Sequence, residues 1–108
     1  MYVESGRKAL EYMRNYIGIA KKVKDLVQTF WLEARVYVFG SVLTGKYTAA
    51  SGINILVVLD EKPDPKEEGG VKASIYMELD APMQLHVISG KELESWYKRF
   101  IGRMVEIT

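Results

Sequence analysis

A stretch at the centre of the chain, residues 36–58, has residue types that could hold a phosphate group. Residues 40–46 match the first half of a P-loop, Gly-x4-Gly-Lys, in which backbone N–H groups and a lysine cradle phosphates. Two features exclude that motif. A P-loop continues with Ser or Thr to hold magnesium, whereas Tyr47 stands here. Six residues, 47–52, separate Lys46 from the next β-rich run, too few for the helix that a P-loop requires.

The same stretch carries a second pattern. It reads Gly40-Ser41, three residues, Gly45, five residues, and then Ser-Gly-Ile-Asn at 51–54 followed by apolar residues. This string resembles the signature of the minimal nucleotidyltransferases of the DNA-polymerase-β-like superfamily, which is Gly-Ser, three residues, Gly, five residues and Ser-Asp-x-Asp. The helical pattern before it and the run Ala-Pro-Met-Gln-Leu-His at 81–86 also look like that family, so the resemblance covers nearly the whole chain.

The resemblance implies a chemistry. Active members of the family move a nucleoside monophosphate from ATP or another nucleoside triphosphate to an acceptor, with two Mg²⁺ ions bridging the phosphates and activating the acceptor hydroxyl. Magnesium prefers anionic oxygen ligands, which the family supplies as two carboxylates on one strand and a third on its neighbour. By the same resemblance, Gly40 and Ser41 match the residues that bind the triphosphate through backbone amides and a hydroxyl.

This chain departs from the family pattern at all three acidic positions. Gly52 and Asn54 stand at the two Asp positions, and Gln84 stands at the third. None of the three is charged, so we expect no tight metal site and an impaired or inactive transferase. Gly40 and Ser41 are intact. They either bind nucleotide phosphate or persist because the turn needs a glycine and a helix cap.

Other polar residues have two interpretations each. Lys46 and Arg35 could assist phosphate binding, although a solvated surface role is the simpler interpretation. His86 shares the strand face of Gln84, because residues two apart on a strand point the same way, and it is either structural or a residue that ligates or senses a nucleotide. The aromatic stripe at Trp96, Tyr97 and Phe100 is predicted to be core or a homodimer contact.

Periodicity predicts the elements that must position these residues. Apolar residues recur at helical spacing over residues 7–31, with Gly18 as a weak point. Three runs have the composition of strands, residues 36–39, 53–59 and 83–88. The second is nearly all apolar, which indicates a central strand buried on both faces.

Two further helices are predicted after the central strand. Residues 60–70 contain prolines, glycines and charges and are expected to form a mobile loop, followed by a short helix over 71–79. Ser89 to Glu92 forms a capping box that opens a last helix, whose apolar stripe runs from Leu93 to Met104.

Composition limits the class of protein. The chain of 108 residues is expected to be a single domain, residues 1–108, because its hydrophobic fraction of 48% suffices for one core. Its net charge of +1 gives no indication of nucleic acid binding. It contains no cysteine, which excludes disulfides and thiolate metal sites. No apolar run approaches the length of a membrane helix, so we expect a cytoplasmic protein without membrane attachment.

The expected fold class is α+β, with α/β-like character: a mixed sheet of at least three strands with helices packed mainly on one face. Three functional hypotheses follow from the resemblance. The chain is a residual nucleotidyltransferase, a pseudoenzyme that acts by binding, or a nucleotide sensor. Relatives of this size often pair with a small all-helical protein, some as toxin–antitoxin couples, so such a partner is expected besides a nucleoside triphosphate or a homodimer.

Overall fold

The structure is a computed structural model that describes residues 2–48 and 50–108, and the side chains of all of these except residues 2–6, Trp96 and Phe100. The first half of the chain forms two helices, a strand and a short turn, in the order α1 (Tyr2–Arg14), α2 (Tyr16–Phe30), β1 (Arg35–Phe39) and a 3-10 turn (Ser41–Leu43). Residues 44–48 and 50–52, which lie outside helices and strands, precede the central strand.

The second half of the chain begins with that strand and forms the elements β2 (Ile53–Leu59), α3 (Pro65–Glu78) and β3 (Met83–Ser89). It ends with a C-terminal helical segment and a last strand, namely α4 (Gly90–Glu92), a π-helical stretch (Leu93–Tyr97), α5 (Lys98–Ile101) and β4 (Met104–Glu106). Ser89 caps the helical segment in a reciprocal capping box with Glu92, which confirms the prediction made from the sequence.

Within the described residues the sheet has four strands in the order β3-β2-β1-β4. β1 pairs antiparallel with β2 and β4, whereas β2 and β3 are parallel. The sheet is therefore mixed, as predicted. β2 lies between two partners, and six of its seven residues are buried, which confirms its assignment as the central strand.

One face of the sheet packs against α1, α2 and α3. The strand residues that point to this face form one large hydrophobic cluster with the helices, to which Met13, Val23, Val27, Val71 and Ile75 belong. Several of these side chains are completely buried, and burial of apolar surface of this kind is the main term that stabilises a domain. The helices thus lie mainly on one face, as expected.

The opposite face carries a smaller cluster under the C-terminal helical segment. It consists of five buried residues, Tyr37, Leu56, Val58, Ile88 and Leu93. Tyr97, Ile101 and Met104 pack against it, so Tyr97 has the first of the two predicted roles of the aromatic stripe, that of a core residue. Trp96 and Phe100, the other two residues of the predicted aromatic stripe, lie outside the described side chains.

The predicted first helix is broken at Asn15, where α1 ends and α2 begins. The Asn15 side chain occupies the space above Gly18, since a Cβ on Gly18 would lie only 2.7 Å from Asn15 Oδ1. Gly18, which sequence reasoning treated only as a weak helix former, therefore provides room for the side chain that marks the break.

Two other predicted boundaries are wrong. α3 begins at Pro65 rather than near residue 71, so half of the expected mobile loop is helical. The Asp64 side chain caps this helix by accepting a hydrogen bond from the Glu67 backbone N–H. The last helix ends at Ile101 because Gly102 adopts a positive φ of 72°. Met104 then starts β4 opposite Phe39, a strand that the sequence analysis missed.

Three backbone N–H groups on the outer edge of β3 donate hydrogen bonds to acceptors outside the sheet. The backbone N–H of Leu85 donates to the Tyr76 hydroxyl at 3.0 Å, and that of Ser89 donates to Glu92 Oε1 at 3.1 Å. The N–H of Met83 donates to the Ala81 carbonyl at 2.9 Å.

Among the described residues, no helix is both long enough and apolar enough to cross a lipid bilayer.

Candidate functional site

The turn after β1 has a conformation that depends on glycine. Gly40 has a φ of 97°, a region that side chains with a Cβ rarely adopt. Ser41 opens the 3-10 turn, which is held by hydrogen bonds from the Leu43 N–H to the Gly40 carbonyl and from the Thr44 N–H to the Ser41 carbonyl, both 3.1 Å. The chain can therefore reverse direction directly beside the end of the sheet.

The three positions that match the family's acids lie together. Asn54 and Gln84 are register partners on β2 and β3, so their side chains are neighbours on one face of the sheet. A Cβ on Gly52 would lie 4.0 Å from Gln84 Cγ. Phe39 pairs with Asn54 from the other side, and the turn follows it directly, so Gly40 is adjacent. The arrangement is the one that the spacing of the motif implies.

Asn54 is the centre of this arrangement. Its Nδ2 lies 2.8 Å from the position that a Cβ on Gly40 would occupy. Its Oδ1 lies 3.4 Å from His86 Nε2, at the long end of hydrogen-bonding distances. Asn54 thus bridges the turn and β3. A side chain on Gly40 would collide with it, in addition to the strain at positive φ.

His86 lies on the same face as Gln84, as the alternation of β3 predicts. Its ring packs against Phe39, with centroids 5.6 Å apart and planes inclined by 48°. Burial lowers the pKa of His86 below the usual value of 6.5, and the positive charge of Lys72 lowers it further. The imidazole is therefore expected to be neutral near pH 7.

Arg35, one of the two cations singled out in the sequence, does not join this group. Arg35 lies at the far end of β1, about 13 Å along the strand from Phe39 at ~3.3 Å per residue; its guanidinium is near the Tyr37 hydroxyl and Gly90. The suggestion that Arg35 assists phosphate binding is therefore wrong for this site. Lys46 follows the turn and is exposed.

Sequence reasoning missed Phe39 as a member of the site. It stands immediately before Gly40 and shares a strand face with Tyr37, so alternation along β1 would have placed it beside the turn. In the part of the chain that the structure describes, no group of three or more His, Asp, Glu or Cys side chains is arranged to hold a metal ion.

Comparison with known proteins agrees with this geometry. A family model described as "Nucleotidyltransferase domain" matches residues 19–103 of the chain. No protein of curated function matches the sequence at a significant level.

Two solved structures are similar. One, of a candidate nucleotidyltransferase, has 25% identity and a TM-score of 0.66, with 82% of this chain and 96% of that chain covered. The other, of a candidate nucleotidyltransferase from Sulfolobus solfataricus, has 21% identity and a TM-score of 0.63, with 91% and 84% covered, and shows likeness of fold. Since the family match spans most of the sequence and the Gly-Ser turn and β2 stand in the family's arrangement, the chain belongs to the nucleotidyltransferase domain family.

Proposed function

We propose that this chain is a catalytically inactive nucleotidyltransferase-fold protein that binds a nucleoside triphosphate at the Gly40-Ser41 turn. The observation that carries the proposal is that Asn54, Gln84 and Gly52 lie next to one another. They occupy adjacent places beside the turn, and none of them carries a charge. The nucleotide-binding part of the family motif is present, whereas the part that holds metal is not.

The donor set does not fit the two magnesium ions that the family generally uses. Mg²⁺ dehydrates reluctantly and is usually bound through one or two carboxylates together with substrate phosphates. Asn54 and Gln84 offer only neutral amide oxygens, and Gly52 offers no side chain. Asn54 Oδ1 is moreover already directed at His86. We therefore propose that the chain has no tight metal site and lacks two-metal transfer activity.

The turn itself supports nucleotide binding. Gly40 has no Cβ to collide with the Asn54 amide beside the turn, and its positive φ lets the following backbone turn away from the strand. The backbone N–H groups of Leu43 and Thr44, which follow Ser41, donate hydrogen bonds within the turn itself. Ser41 adds a hydroxyl that is partly accessible. This hydroxyl can donate to a phosphate oxygen without a charged side chain.

The test restores the missing carboxylates. The triple variant Gly52→Asp, Asn54→Asp, Gln84→Glu should be less stable than wild type without metal, because three like charges lie close together. Mg²⁺ with ATP should raise its melting temperature much more than that of wild type, since a ligand that binds only the folded state stabilises it. Wild type should show no metal-dependent incorporation of labelled nucleotide and no tight site in a calorimetric titration with Mg²⁺ or Mn²⁺ alone.

A matched control adds three acids elsewhere, for example Thr29→Asp, Ala73→Glu and Ser95→Asp, at exposed positions on three different helical elements. It changes net charge equally and should gain nothing from Mg²⁺–ATP. Equal responses of wild type and the site variant would contradict the idea of a dismantled two-metal pocket. Nucleotide incorporation by wild type would overturn the proposal of inactivity.

A second candidate function is that of a subunit that binds a small helical protein, as the resemblance implies. One observation favours it. A groove of about 360 Å³ lies between α2 and α3, with Phe30 50% exposed and Met77 88% exposed at its sides. Grooves between helices are suited to the apolar ridge of another helix.

Co-expression with helical proteins encoded beside this chain, followed by co-purification, tests that function. Phe30→Glu together with Met77→Glu should abolish the complex. Leu32→Glu is the matched control, because Leu32 is 83% exposed but does not line the groove. A complex that survives the groove variant would contradict this assignment.

A further inference from the structure

The two ends of the Asn54 side chain face different partners. Oδ1 faces β3, where it lies 3.4 Å from His86 Nε2, and Nδ2 faces the turn, where it lies 2.8 Å from the place of a Cβ on Gly40. An amide oxygen can only accept a hydrogen bond, and an amide nitrogen can only donate. In this arrangement His86 donates its Nε2–H to Asn54, and the Asn54 N–H groups point toward the Gly40-Ser41 turn.

Packing holds the imidazole in the position from which it donates. His86 is opposite Leu56 in the β2–β3 register, and Leu56 is fully buried beneath the C-terminal helical segment. The Phe39 ring contacts His86 from β1, across β2, with ring centroids 5.6 Å apart. Asn54 therefore lies beside both residues, with Phe39 as its partner on β1 and His86 two residues beyond its partner Gln84 on β3.

This orientation has a consequence for an anion at the turn. A carboxylate at position 54 would repel a nearby phosphate unless a cation stood between them. A neutral amide that presents N–H groups attracts the phosphate directly, and hydrogen bonds to charged acceptors are stronger than those between neutral groups. The replacement of Asp by Asn thus changes the sign of the interaction as well as removing a metal ligand.

We infer that His86 is a positioning residue that orients the Asn54 amide, so that Asn54 donates to a phosphate at the Gly40-Ser41 turn and the chain binds nucleoside triphosphates without metal. The inference rests on the proposed function, because it specifies how the same site holds its ligand. It goes beyond that function by assigning metal-free triphosphate as the species bound and by giving His86 and Asn54 their parts.

The first test compares binding with and without metal. Each of the four ribonucleoside triphosphates is titrated calorimetrically into wild type, once in EDTA and once with excess Mg²⁺. We expect at least one to bind in EDTA as tightly as in Mg²⁺ or more tightly, because Mg²⁺ would occupy the phosphate oxygens that Asn54 and the turn contact. Asn54→Asp should lose about tenfold or more in affinity in EDTA, and Mg²⁺ should recover part of the loss.

The outcomes separate this inference from the proposed function. Binding by wild type only when Mg²⁺ is present would overturn the inference and leave nucleotide binding in place. Absence of binding for all four nucleotides in both buffers would overturn nucleotide binding itself, and the inference with it.

The second test addresses His86. His86→Gln keeps a side-chain N–H donor on the same strand face, whereas His86→Leu keeps bulk but cannot donate. In EDTA we expect His86→Leu to lose about tenfold in affinity and His86→Gln to retain most of it. The side-chain amide resonances of Asn54, followed by ¹H–¹⁵N NMR, should move on nucleotide addition in wild type and in His86→Gln.

A merely structural role would not produce this pattern. Thermal melts identify whether both His86 variants are folded, and affinities are compared at a temperature well below their transitions. Equal affinity of His86→Leu and wild type in EDTA would overturn the positioning role. Unmoved Asn54 amide resonances in a nucleotide-saturated wild type would overturn the assignment of Asn54 as the donor.

Discussion

The two faces of β2 are built for different purposes. Residues at odd positions, among them Ile53, Ile55 and Val57, enter the large cluster beneath α1, α2 and α3. Residues at even positions face the other way. Among them, Asn54 is polar and belongs to the candidate site, whereas Leu56 and Val58 belong to the small cluster. Because side chains alternate between the two faces of a strand, the core residues Ile53 and Ile55 point away from the candidate site residue Asn54 between them. Neighbouring residues should consequently have unrelated mutational effects.

The largest difference between the faces should appear at Ile55 and Asn54. Ile55 is fully buried, so Ile55→Ala should lower the free energy of unfolding by about 2–5 kcal/mol while leaving the nucleotide affinity of the folded protein unchanged. Asn54→Ala removes one long hydrogen bond and should cost about 1 kcal/mol or less, yet weaken nucleotide binding in EDTA. Urea unfolding and calorimetry measure the two quantities separately.

Ile55→Val is the control for the first substitution, since it shortens the same side chain by one methylene and should cost about 0.5–1.5 kcal/mol. A substantial loss of affinity in folded Ile55→Ala would show that the two faces are coupled through the strand. The separation by alternation would then be wrong.

The caps of the two flanking helices should give a smaller difference. Asp64 caps α3, which carries Val71 and Ile75 into the large cluster, whereas Ser89 caps the helical segment over the small cluster. Asp64→Ala and Ser89→Ala should each cost about 0.5–2 kcal/mol. Because fewer buried residues hold the C-terminal segment, Ser89→Ala should also release its amides to local hydrogen exchange, while Asp64→Ala should act on global unfolding.

Asp64→Asn and Ser89→Thr retain a capping oxygen and should behave nearly as wild type. Hydrogen exchange monitored by NMR distinguishes local from global opening. Uniform exchange throughout the chain in Ser89→Ala would contradict the idea that the small cluster opens independently.

The smallest expected effect is a dependence of stability on pH. The pKa of His86 is lowered in the folded state by burial and by Lys72, so the unfolded chain takes up the proton more readily. The stabilising contribution is complete above about pH 6.5 and decreases as the pH falls toward the folded-state pKa. Urea midpoints measured at about pH 7.5, 6.5 and 5.5 should decrease more steeply for wild type than for His86→Gln. Parallel profiles would mean that His86 titrates alike in both states.

The parts of the candidate site that depend on residue spacing and strand alternation were predicted from the sequence. The spacing from Gly40 to Asn54 fixed a strand, a turn and a second strand, and alternation placed His86 on the face of Gln84. The contact between Asn54 and His86 could not be predicted, because it depends on the rotamers of two side chains and on the Phe39 ring beside them. Such contacts are decided by tertiary packing.

Two elements were predicted wrongly for different reasons: β4 depends on a non-local contact, and the local signal that opens α3 was misinterpreted. β4 is only three residues long, and its pairing with β1 joins residues far apart in sequence, so no local pattern marks it. The start of α3 was readable, since Asp64 followed by Pro65 is a favourable helix opening. The two glycines at 69 and 70 argued for a loop, but packing of Val71 and Ile75 against the sheet outweighs their low helix propensity.

The hydrogen bonds along the outer edge of β3 have a consequence for the behaviour of the protein at high concentration. An edge strand with free backbone donors is a template on which a strand of another molecule can add, and sheet extension of that kind leads to aggregation. Here the N–H groups of Met83, Leu85 and Ser89 are already bound, by a neighbouring carbonyl, a tyrosine hydroxyl and a glutamate. A strand arriving from another molecule would have to displace Tyr76 to reach the Leu85 N–H, and dismantle the cap of the C-terminal helical segment to reach the Ser89 N–H.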